Sequence, residues 1–221
     1  MVPDIKTINL GGVNCYLANC RDGFILIDTG YSPKRSLLVK ELEEAGCVPG
    51  KLKLILITHG DADHAGNAAF LRSKFGAKIA MHANDAGMVE LGDMSLSRKK
   101  KPDRMSLIMK VMAGLVGIFA RGGAFEKFKP DFTVDDSFDL SQYGLDATVL
   151  HLPGHSKGSI GILTKTGDLY CGDLLYNMRG FQFIDDLADY NVSIKKLKGL
   201  NVRKIYPGHG KAMPEGYLQK H

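Results

Sequence analysis

Runs of apolar residues separated by glycine-containing turns dominate the first sixty positions. Short β-rich stretches bounded by such turns predict strands rather than helices. Three of them follow one another: IKTINL (5–10), VNCYLANC (13–20) and GFILIDTG (23–30).

The pattern then changes to a helical period. Ser32 is the predicted N-cap and Pro33 the first helical residue, and Gly46 ends the helix. The apolar residues of this helix fall on one face: Leu37, Leu38, Leu42 and Ala45.

After this helix the pattern predicts a strand at LKLILI (52–57), a helix over AGNAAFLRSKFG (65–76) and a strand at AKIAMH (77–82).

Strand patterns return in the second half of the chain. They occur at 132–140, 146–155, 159–167 and 168–173, and are followed by a predicted helix at 190–200 and a short strand and loop at 202–210. Each half is therefore strand-rich first and helical later, which favours two sheets packed together with helices outside. We find no short-period repeat and no low-complexity linker, so we expect one domain over residues 1–221.

The segment 85–129 departs from this pattern. Asp103 is a plausible N-cap for a helix whose apolar stripe comprises Met105, Ile108, Met109, Met112, Leu115, Val116 and Phe119. Leu107, Val111 and Ile118 lie off that stripe. Three interpretations stay open: a helix packed on the core, a mobile cover whose methionines line an apolar substrate pocket, and a membrane-surface contact.

Composition excludes several classes of protein. The chain has 221 residues, 44% of them hydrophobic, and a formal net charge of +5, which is too mild for a typical nucleic-acid-binding domain. The basic run RKKK (98–101), followed by Arg104, is typical of a solvated loop. Four cysteines without paired spacing and an N-terminus without an apolar signal core indicate a cytoplasmic protein. No stretch reaches the roughly 20 apolar residues of a membrane span.

Candidate chemistry is concentrated in THGDADHAGN (58–67), at the turn between a predicted strand and helix. It places four metal-ligand side chains within six residues: His59, Asp61, Asp63 and His64. Three later segments, HLPGHS, LYCGD and YPGHG, place His155, Asp173 and His209 in glycine-containing turns after strands.

This ordered set resembles the metallo-β-lactamase-fold, glyoxalase II-like hydrolases, which use H-x-H-x-D-H followed by His, Asp and His. LIDTG (26–30) also matches the Asp-Thr-Gly of that family, and the resemblance runs from about residue 5 to 212. It implies an α/β fold, a four-layer αββα sandwich of two mixed β-sheets flanked by helices, with 85–129 as the variable helical cover.

The resemblance also implies two divalent metal ions. One would be held by His59, Asp61 and His155, the other by Asp63, His64 and His209, with Asp173 bridging both. Paired ions can activate a shared water for attack, and Asp63 and Asp173 would be the catalytic carboxylates.

Asp61 departs from the family, which usually has histidine there. It could ligate in place of histidine, be too short to reach the metal, or belong to a degenerate and non-catalytic site. A carboxylate ligand shifts preference from zinc, otherwise expected, toward manganese or iron.

We therefore expect hydrolysis of an ester-like bond, such as a thioester, lactone or other acyl ester, in a small and partly apolar substrate. The alternatives are a di-iron redox enzyme of the same fold and a phosphodiesterase or nuclease. A β-lactamase is disfavoured, because nothing in the sequence indicates export. No nucleic-acid partner is expected, and a homodimer is left open.

A few other residues have less specific predictions. Tyr176, Asn177 and Arg179 follow Asp173 and are candidates for substrate contact, against ordinary loop packing. Asp28 is predicted either to orient a metal ligand by a hydrogen bond or to cap a turn. The remaining histidines are predicted to be non-catalytic: His82, His151 and His221.

Overall fold

The structure is a computed structural model that describes residues 4–107, 110–111, 125–178 and 182–220. Its architecture is α/β, with two mixed sheets packed face to face. The prediction of a four-layer αββα sandwich is confirmed.

The first sheet contains six strands, antiparallel from the first to the third and parallel from the third onward. Strands β1 (Asp4–Asn9), β2 (Asn14–Cys20) and β3 (Gly23–Ile27) form an antiparallel meander. Strands β4 (Leu52–Leu56), β5 (Lys78–Met81) and β7 (Phe132–Thr133) extend it in parallel, in the order β1-β2-β3-β4-β5-β7.

The second sheet contains five strands: β8 (Ala147–His151), β9 (Ile160–Thr164), β10 (Asp168–Tyr170), β12 (Lys204–Tyr206) and β13 (Met213–Pro214). Its order is β13-β12-β10-β9-β8. Because β9 is antiparallel to both β8 and β10, and β10 is parallel to β12, the strands β8, β10 and β12 all end at one edge. A separate two-stranded ribbon pairs β6 (Arg104–Met105) with β11 (Phe183–Ile184).

Five helices are described: α1 (Arg35–Glu44), α2 (Ala62–Ala65), α3 (Ala68–Phe75), α4 (Ala83–Leu91) and α5 (Leu187–Lys198). Short 3₁₀ turns occur at Ser32–Lys34, Ser141–Tyr143 and Glu215–Lys220.

Three buried clusters separate the four layers. Successive residues of a strand face opposite sides, so Leu26 packs toward α1 and α3, whereas Ile25 and Ile27 face the second sheet. Across the gap they join Val149 and Ile162 of the second sheet. A third cluster packs the outer face of that sheet against α5.

The first predicted helix is confirmed at its end and wrong at its start. Gly46, with φ of +80°, follows the last helical turn as predicted. Ser32 is not an N-cap, because it opens a 3₁₀ turn and its hydroxyl donates to the carbonyl of Gly66. Leu37 is exposed, whereas Leu38 and Leu42 are buried as predicted.

The single helix predicted over 65–76 is two helices, α2 and α3. The break lies at Gly66 and Asn67, where the buried Asn67 amide donates to the carbonyl of Thr29. This contact fixes the loop after β3 against the chain just beyond the candidate ligands.

The helix predicted from Asp103 is wrong at its start. Met105 is in a strand rather than a helix, and Asp103 accepts from Lys99 and from the backbone N–H of Leu187. Leu107 and Val111, which the stripe excluded, are exposed. Most of the stripe lies outside the described residues: Ile108, Met109, Met112, Leu115, Val116 and Phe119.

The strand predicted at 132–140 and the helix predicted at 190–200 also have different boundaries in the structure. The strand predicted at 132–140 shortens to β7, followed by a single bridge between Asp139 and Thr148. Helix α5 begins three residues earlier than predicted, because the Asp186 carboxylate caps it by accepting from the N–H groups of Ala188 and Asp189.

Candidate metal centre

The candidate ligands follow the ends of strands in both sheets, in turns or, for Asp63 and His64, in the short helix α2. The segment after β4 carries four of them, and the turns after β8, β10 and β12 carry one each. The sheets are joined beside this segment, since the N–H of Ile160 donates to the carbonyl of Thr58. The structure brings together all seven predicted ligands: His59, Asp61, Asp63, His64, His155, Asp173 and His209.

His59, Asp61 and His155 form the first ligand group. Asp61 Oδ2 lies 3.4 Å from His59 Nε2 and 3.1 Å from His155 Nε2. A tetrahedral zinc site with bonds of about 2.05 Å spaces its ligand atoms about 3.3 Å apart. Asp61 Oδ2 therefore lies at the spacing from both histidines that is expected of a ligand atom.

Asp63, His64 and His209 form the second ligand group. His209 Nε2 lies 3.2 Å from Asp63 Oδ2 and 3.4 Å from His64 Nε2. Asp173 closes this group, with Oδ1 at 3.3 Å from His64 and Oδ2 at 3.3 Å from His209. Its Oδ2 is 4.0 Å from His155 Nε2, so Asp173 also faces the first group.

Hydrogen bonds fix the ring orientation of both histidines in the second group. His64 Nδ1 lies 2.8 Å from the Asp28 carboxylate, and His209 Nδ1 lies 2.7 Å from the carbonyl of Gly12. An acceptor at Nδ1 keeps the ring proton there and leaves Nε2 free for a cation. Asp28 therefore orients a candidate ligand, as one of the two predictions for it proposed.

A threonine fixes the ring of His59 in the same way. The Thr58 hydroxyl donates to Asp28, so its oxygen accepts the proton of His59 Nδ1 at 3.0 Å. Asp28 thus supports one histidine of each group, directly or through Thr58.

A tyrosine has the equivalent role at His155. The Tyr176 hydroxyl donates to Asp173 at 3.2 Å and lies 3.0 Å from His155 Nδ1, whose proton it accepts. All four candidate histidines therefore turn Nε2 inward.

Among the described residues, three buried side-chain atoms have no hydrogen-bond partner: Arg98 Nε and two candidate ligand atoms, His59 Nε2 and Asp173 Oδ1. Buried polar atoms without a partner are rare and often mark an ion-binding position. Together with four inward Nε2 atoms and three carboxylates, the two ligand atoms fit a divalent metal ion.

The carboxylate and histidine side chains of the centre shift one another's pKa. Burial raises the pKa of the Asp173 carboxyl, but His209 and His64 outweigh it and hold that pKa well below its ordinary value. Burial lowers the pKa of His209, and Asp173 overcomes it, so the pKa rises to about 10. A proton and a metal ion compete for the same lone pair on Nε2, so metal binding would release protons.

Arg98 was missed by the sequence analysis, which placed it in a solvated loop. The three lysines after it are exposed, but its own side chain is only 14% exposed. Arg98 Nη2 lies 2.7 Å from each oxygen of Asp61 and 3.2 Å from His155 Nε2. Burial raises the pKa of Asp61, and Arg98 outweighs it and holds that pKa well below its ordinary value.

Asp85 was also missed. Its buried carboxylate accepts from the backbone N–H of Gly60, from the Ser156 hydroxyl and from the N–H of Gly158. It thereby ties the loop of His59 to the loop of His155. No ligand motif marks Asp85, because it lies inside α4 and reaches both loops only through tertiary packing.

The three predicted substrate contacts have different positions. Tyr176 lines the centre through its hydroxyl, and its backbone carbonyl accepts from Tyr217. Asn177 is exposed and donates to the carbonyl of Lys211, as loop packing would give. Arg179 lies outside the described residues.

His82 and His151 stack on each other outside this centre, with ring centroids 4.0 Å apart. His82 Nδ1 accepts from the N–H of Asn84, so the proton of the neutral ring is on Nε2, which lies 3.3 Å from Asp135. A protonated Nε2 has no free lone pair for a metal ion, so this geometry favours a hydrogen-bonded stack over a third metal site. His221 lies outside the described residues.

Within the described part of the chain, no helix combines the length and apolar character needed to span a bilayer.

The family model of the metallo-beta-lactamase superfamily matches residues 8–209 of this chain. That range includes all seven candidate ligands.

Three relatives illustrate the similarity. The chain is 28% identical over 203 residues to the beta-lactamase-like protein 2 homolog of Caenorhabditis elegans, covering 91% of this chain and 57% of that one. It is 29% identical over 154 residues to the hydroxyacylglutathione hydrolase GloC of Haemophilus influenzae, covering 68% and 60%. It is 26% identical over 171 residues to the acyl-coenzyme A thioesterase MBLAC2 of Gallus gallus, covering 71% and 56%. The chain thus spans less than two thirds of the length of each.

Solved structures share the fold. The class B3 di-zinc metallo-beta-lactamase LRA-12 from an Alaskan soil metagenome matches with a TM-score of 0.71 at 20% identity, covering 94% of this chain and 76% of that one. TTHA1623 in a di-iron-bound form matches with a TM-score of 0.66 at 25% identity, covering 98% and 96%.

Proposed function

Because this chain belongs to the metallo-beta-lactamase superfamily, we propose that it is a metal-dependent hydrolase and that its substrate is a thioester. The superfamily contains relatives of this chain that are named as a hydroxyacylglutathione hydrolase and an acyl-coenzyme A thioesterase. Both names describe cleavage of a thioester bond.

One observation carries the hydrolase proposal: four histidines surround Asp173 with Nδ1 held by an acceptor and Nε2 turned inward. The second group offers a complete ligand set for one divalent ion in Asp63, His64, His209 and Asp173. A divalent ion bound there would lower the pKa of a water molecule toward neutrality and polarise the carbonyl to be attacked.

The carboxylates of the second group would position the attacking water. The side chain of Asp63 is 42% exposed and lies on the open side of the group, so its free oxygen can accept a hydrogen bond from water. Asp173 is 6% exposed and is held by Tyr176, so it keeps the geometry of the group. Water enters on the side of Asp63 and is excluded on the side of Asp173.

A thioester suits this site better than an alkyl ester or an amide. An alkyl thiol has a pKa of about 8.5, so the thiolate leaves without protonation by a strong acid. Among the described residues, no lysine or arginine forms an ion pair with Asp63 or Asp173. Apart from its two candidate metal-ligand histidines, the second group thus has no basic side chain among the described residues that is placed to protonate a poorer leaving group.

Hydrolysis of acyl-coenzyme A and acylglutathione thioesters, followed by the release of free thiol, tests the proposal. We expect turnover by the zinc- or manganese-loaded protein and its loss in Asp173→Asn. Asp146→Asn, which breaks the exposed pair with Lys165, is the matched control and should turn over normally. Turnover of a β-lactam or a phosphodiester in place of any thioester would refute the substrate class, and full activity of Asp173→Asn would refute the mechanism.

An iron redox enzyme is the second candidate. It is favoured by the di-iron-bound form of TTHA1623 and by the carboxylate at position 61, since harder ions prefer oxygen ligands. Visible absorption of the purified protein, bleached by a reductant, would support it. A phosphodiesterase gains less support, because Arg98 of the basic run points at Asp61 and not at solvent.

A further inference from the structure

The first ligand group already contains a cation of the protein's own. Arg98 Nη2 contacts both oxygens of Asp61 and lies 3.2 Å from His155 Nε2. From this contact we infer that Arg98 takes the place of a metal ion in the first group, so that the chain binds one metal ion, in the second group. The inference rests on the proposed function in treating the second group as the hydrolytic metal site.

His155 decides the competition between the guanidinium and a metal. Tyr176 accepts the proton of Nδ1, so Nε2 has a single lone pair to offer. That lone pair can accept an N–H of Arg98 or bind a metal ion, but not both. With His155 engaged and Asp61 in a charge-assisted contact, only His59 and the shared Asp173 remain, and two ligands are too few for a tetrahedral ion.

Arg98 is held in this position from several sides. Its guanidinium carbon lies 4.8 Å from the ring centroid of Phe183, a cation–π distance. The Ser97 hydroxyl before it donates to the carbonyl of Asn84, and the N–H of Lys99 after it donates to Asp185. The contacts of Ser97 and Lys99 on either side, together with the Phe183 ring against the guanidinium, fix the position of Arg98.

Charge favours the same arrangement. Asp61 and Arg98 together are neutral, as the histidine that the family usually has at position 61 would be. A buried carboxylate without a partner is costly, so Asp61 requires a cation, and Arg98 supplies one without recruiting an ion from solution.

Among the described residues, the second group has no lysine or arginine in the position that Arg98 has in the first. In the described ranges, Asp63 and Asp173 pair only with histidines. Asp63 is also open to solvent, so an ion can enter. The two groups therefore differ in how they are filled, although each has two histidines and a carboxylate of its own.

The test is the metal content of the full chain. Protein stripped with a chelator is reloaded with excess Zn²⁺, freed of unbound metal and analysed for zinc and protein. We expect about one ion per chain in the wild type and about two in Arg98→Met, since removal of Arg98 frees His155 and Asp61 for the metal. Lys101→Met removes an exposed charge from the same segment and should keep the wild-type count.

Arg98→Gln is the second variant, because it keeps a polar side chain if the methionine variant folds poorly. Two ions in the wild type would overturn the inference, and so would one ion in both folded Arg98 variants. Zinc is counted without substrate, so a two-ion wild type that cleaves thioesters would refute only the role of Arg98. A one-ion protein without thioesterase activity would refute only the proposed function.

Discussion

Replacing Asp28 with asparagine should weaken metal binding without unfolding the protein. Asp28 is 1% exposed and has φ of +59°, a left-handed conformation that asparagine also tolerates. The two side chains have the same shape, so packing is preserved. The change is confined to the oxygen that accepts from Thr58 and His64.

The magnitude follows from the hydrogen bonds that asparagine cannot make. Its Nδ2 is a donor and would face the donor at His64 Nδ1, so the ring must move its proton to Nε2, where the metal binds. A hydrogen bond to a charged group contributes about 1.5–3 kcal/mol. Loss of such a supporting partner lowers metal affinity about 10–100-fold, or about 1.4–2.7 kcal/mol at 1.36 kcal/mol per tenfold change. The free energy of the lost hydrogen bond and the expected loss of metal-binding free energy therefore agree.

The assay is competition for Zn²⁺ between the protein and a chelating dye. Asp139→Asn is the matched control, because Asp139 also accepts from a backbone N–H and a hydroxyl, both of Ser141, but is exposed and outside the metal centre. An affinity of Asp28→Asn within twofold of the wild type would refute the role given to Asp28.

Two other predictions test the close packing and the pH dependence. A Cβ on Gly208 would overlap Asp173 Oδ1 and lie 2.6 Å from His64 Cε1. We therefore expect Gly208→Ala to lose about tenfold or more in Zn²⁺ affinity. Gly216→Ala is the control, because nothing lies within 4 Å of a Cβ there, and equal affinities of the two variants would contradict the expectation. Burial and the neighbouring His151 lower the pKa of His82 from its ordinary value of 6.5. His82 therefore binds a proton more readily in the unfolded chain, and the free energy of unfolding should fall as the pH drops from 6.5 toward the pKa of the folded protein. His82→Asn keeps the acceptor for Asn84 and should flatten that part of the melting-temperature profile, and identical profiles for both proteins would exclude His82 as the cause.

The convergence of the seven candidate ligands could be predicted because each of them follows a short apolar strand. Strand ends meet at one edge of a sheet, so their turns converge whatever the loops between them do. His155, Asp173 and His209 each combine a strand end with a glycine turn, and both signals are local.

The residues that the sequence analysis missed reach the centre through tertiary contacts. Arg98 belongs to a basic run, a pattern that usually marks solvated loops, and nothing local distinguishes it from the lysines that follow. Asp85 lies in a helix and contacts two loops that are far apart in sequence, at Gly60 and at Ser156. Met105 fits a helical stripe, but its pairing with Phe183 decides its conformation, and local periodicity contains no information on that partner.

The division of the second ligand group between the two sheets has a consequence for folding kinetics. Asp63 and His64 follow a strand of the first sheet, Asp173 and His209 follow strands of the second, and 145 positions separate His64 from His209. An ion can be bound by both halves only after both sheets have formed and docked, so it cannot nucleate the fold. Interactions that form after the transition state slow unfolding and leave the folding rate unchanged. Bound metal would therefore lengthen the lifetime of the native state without hastening its formation.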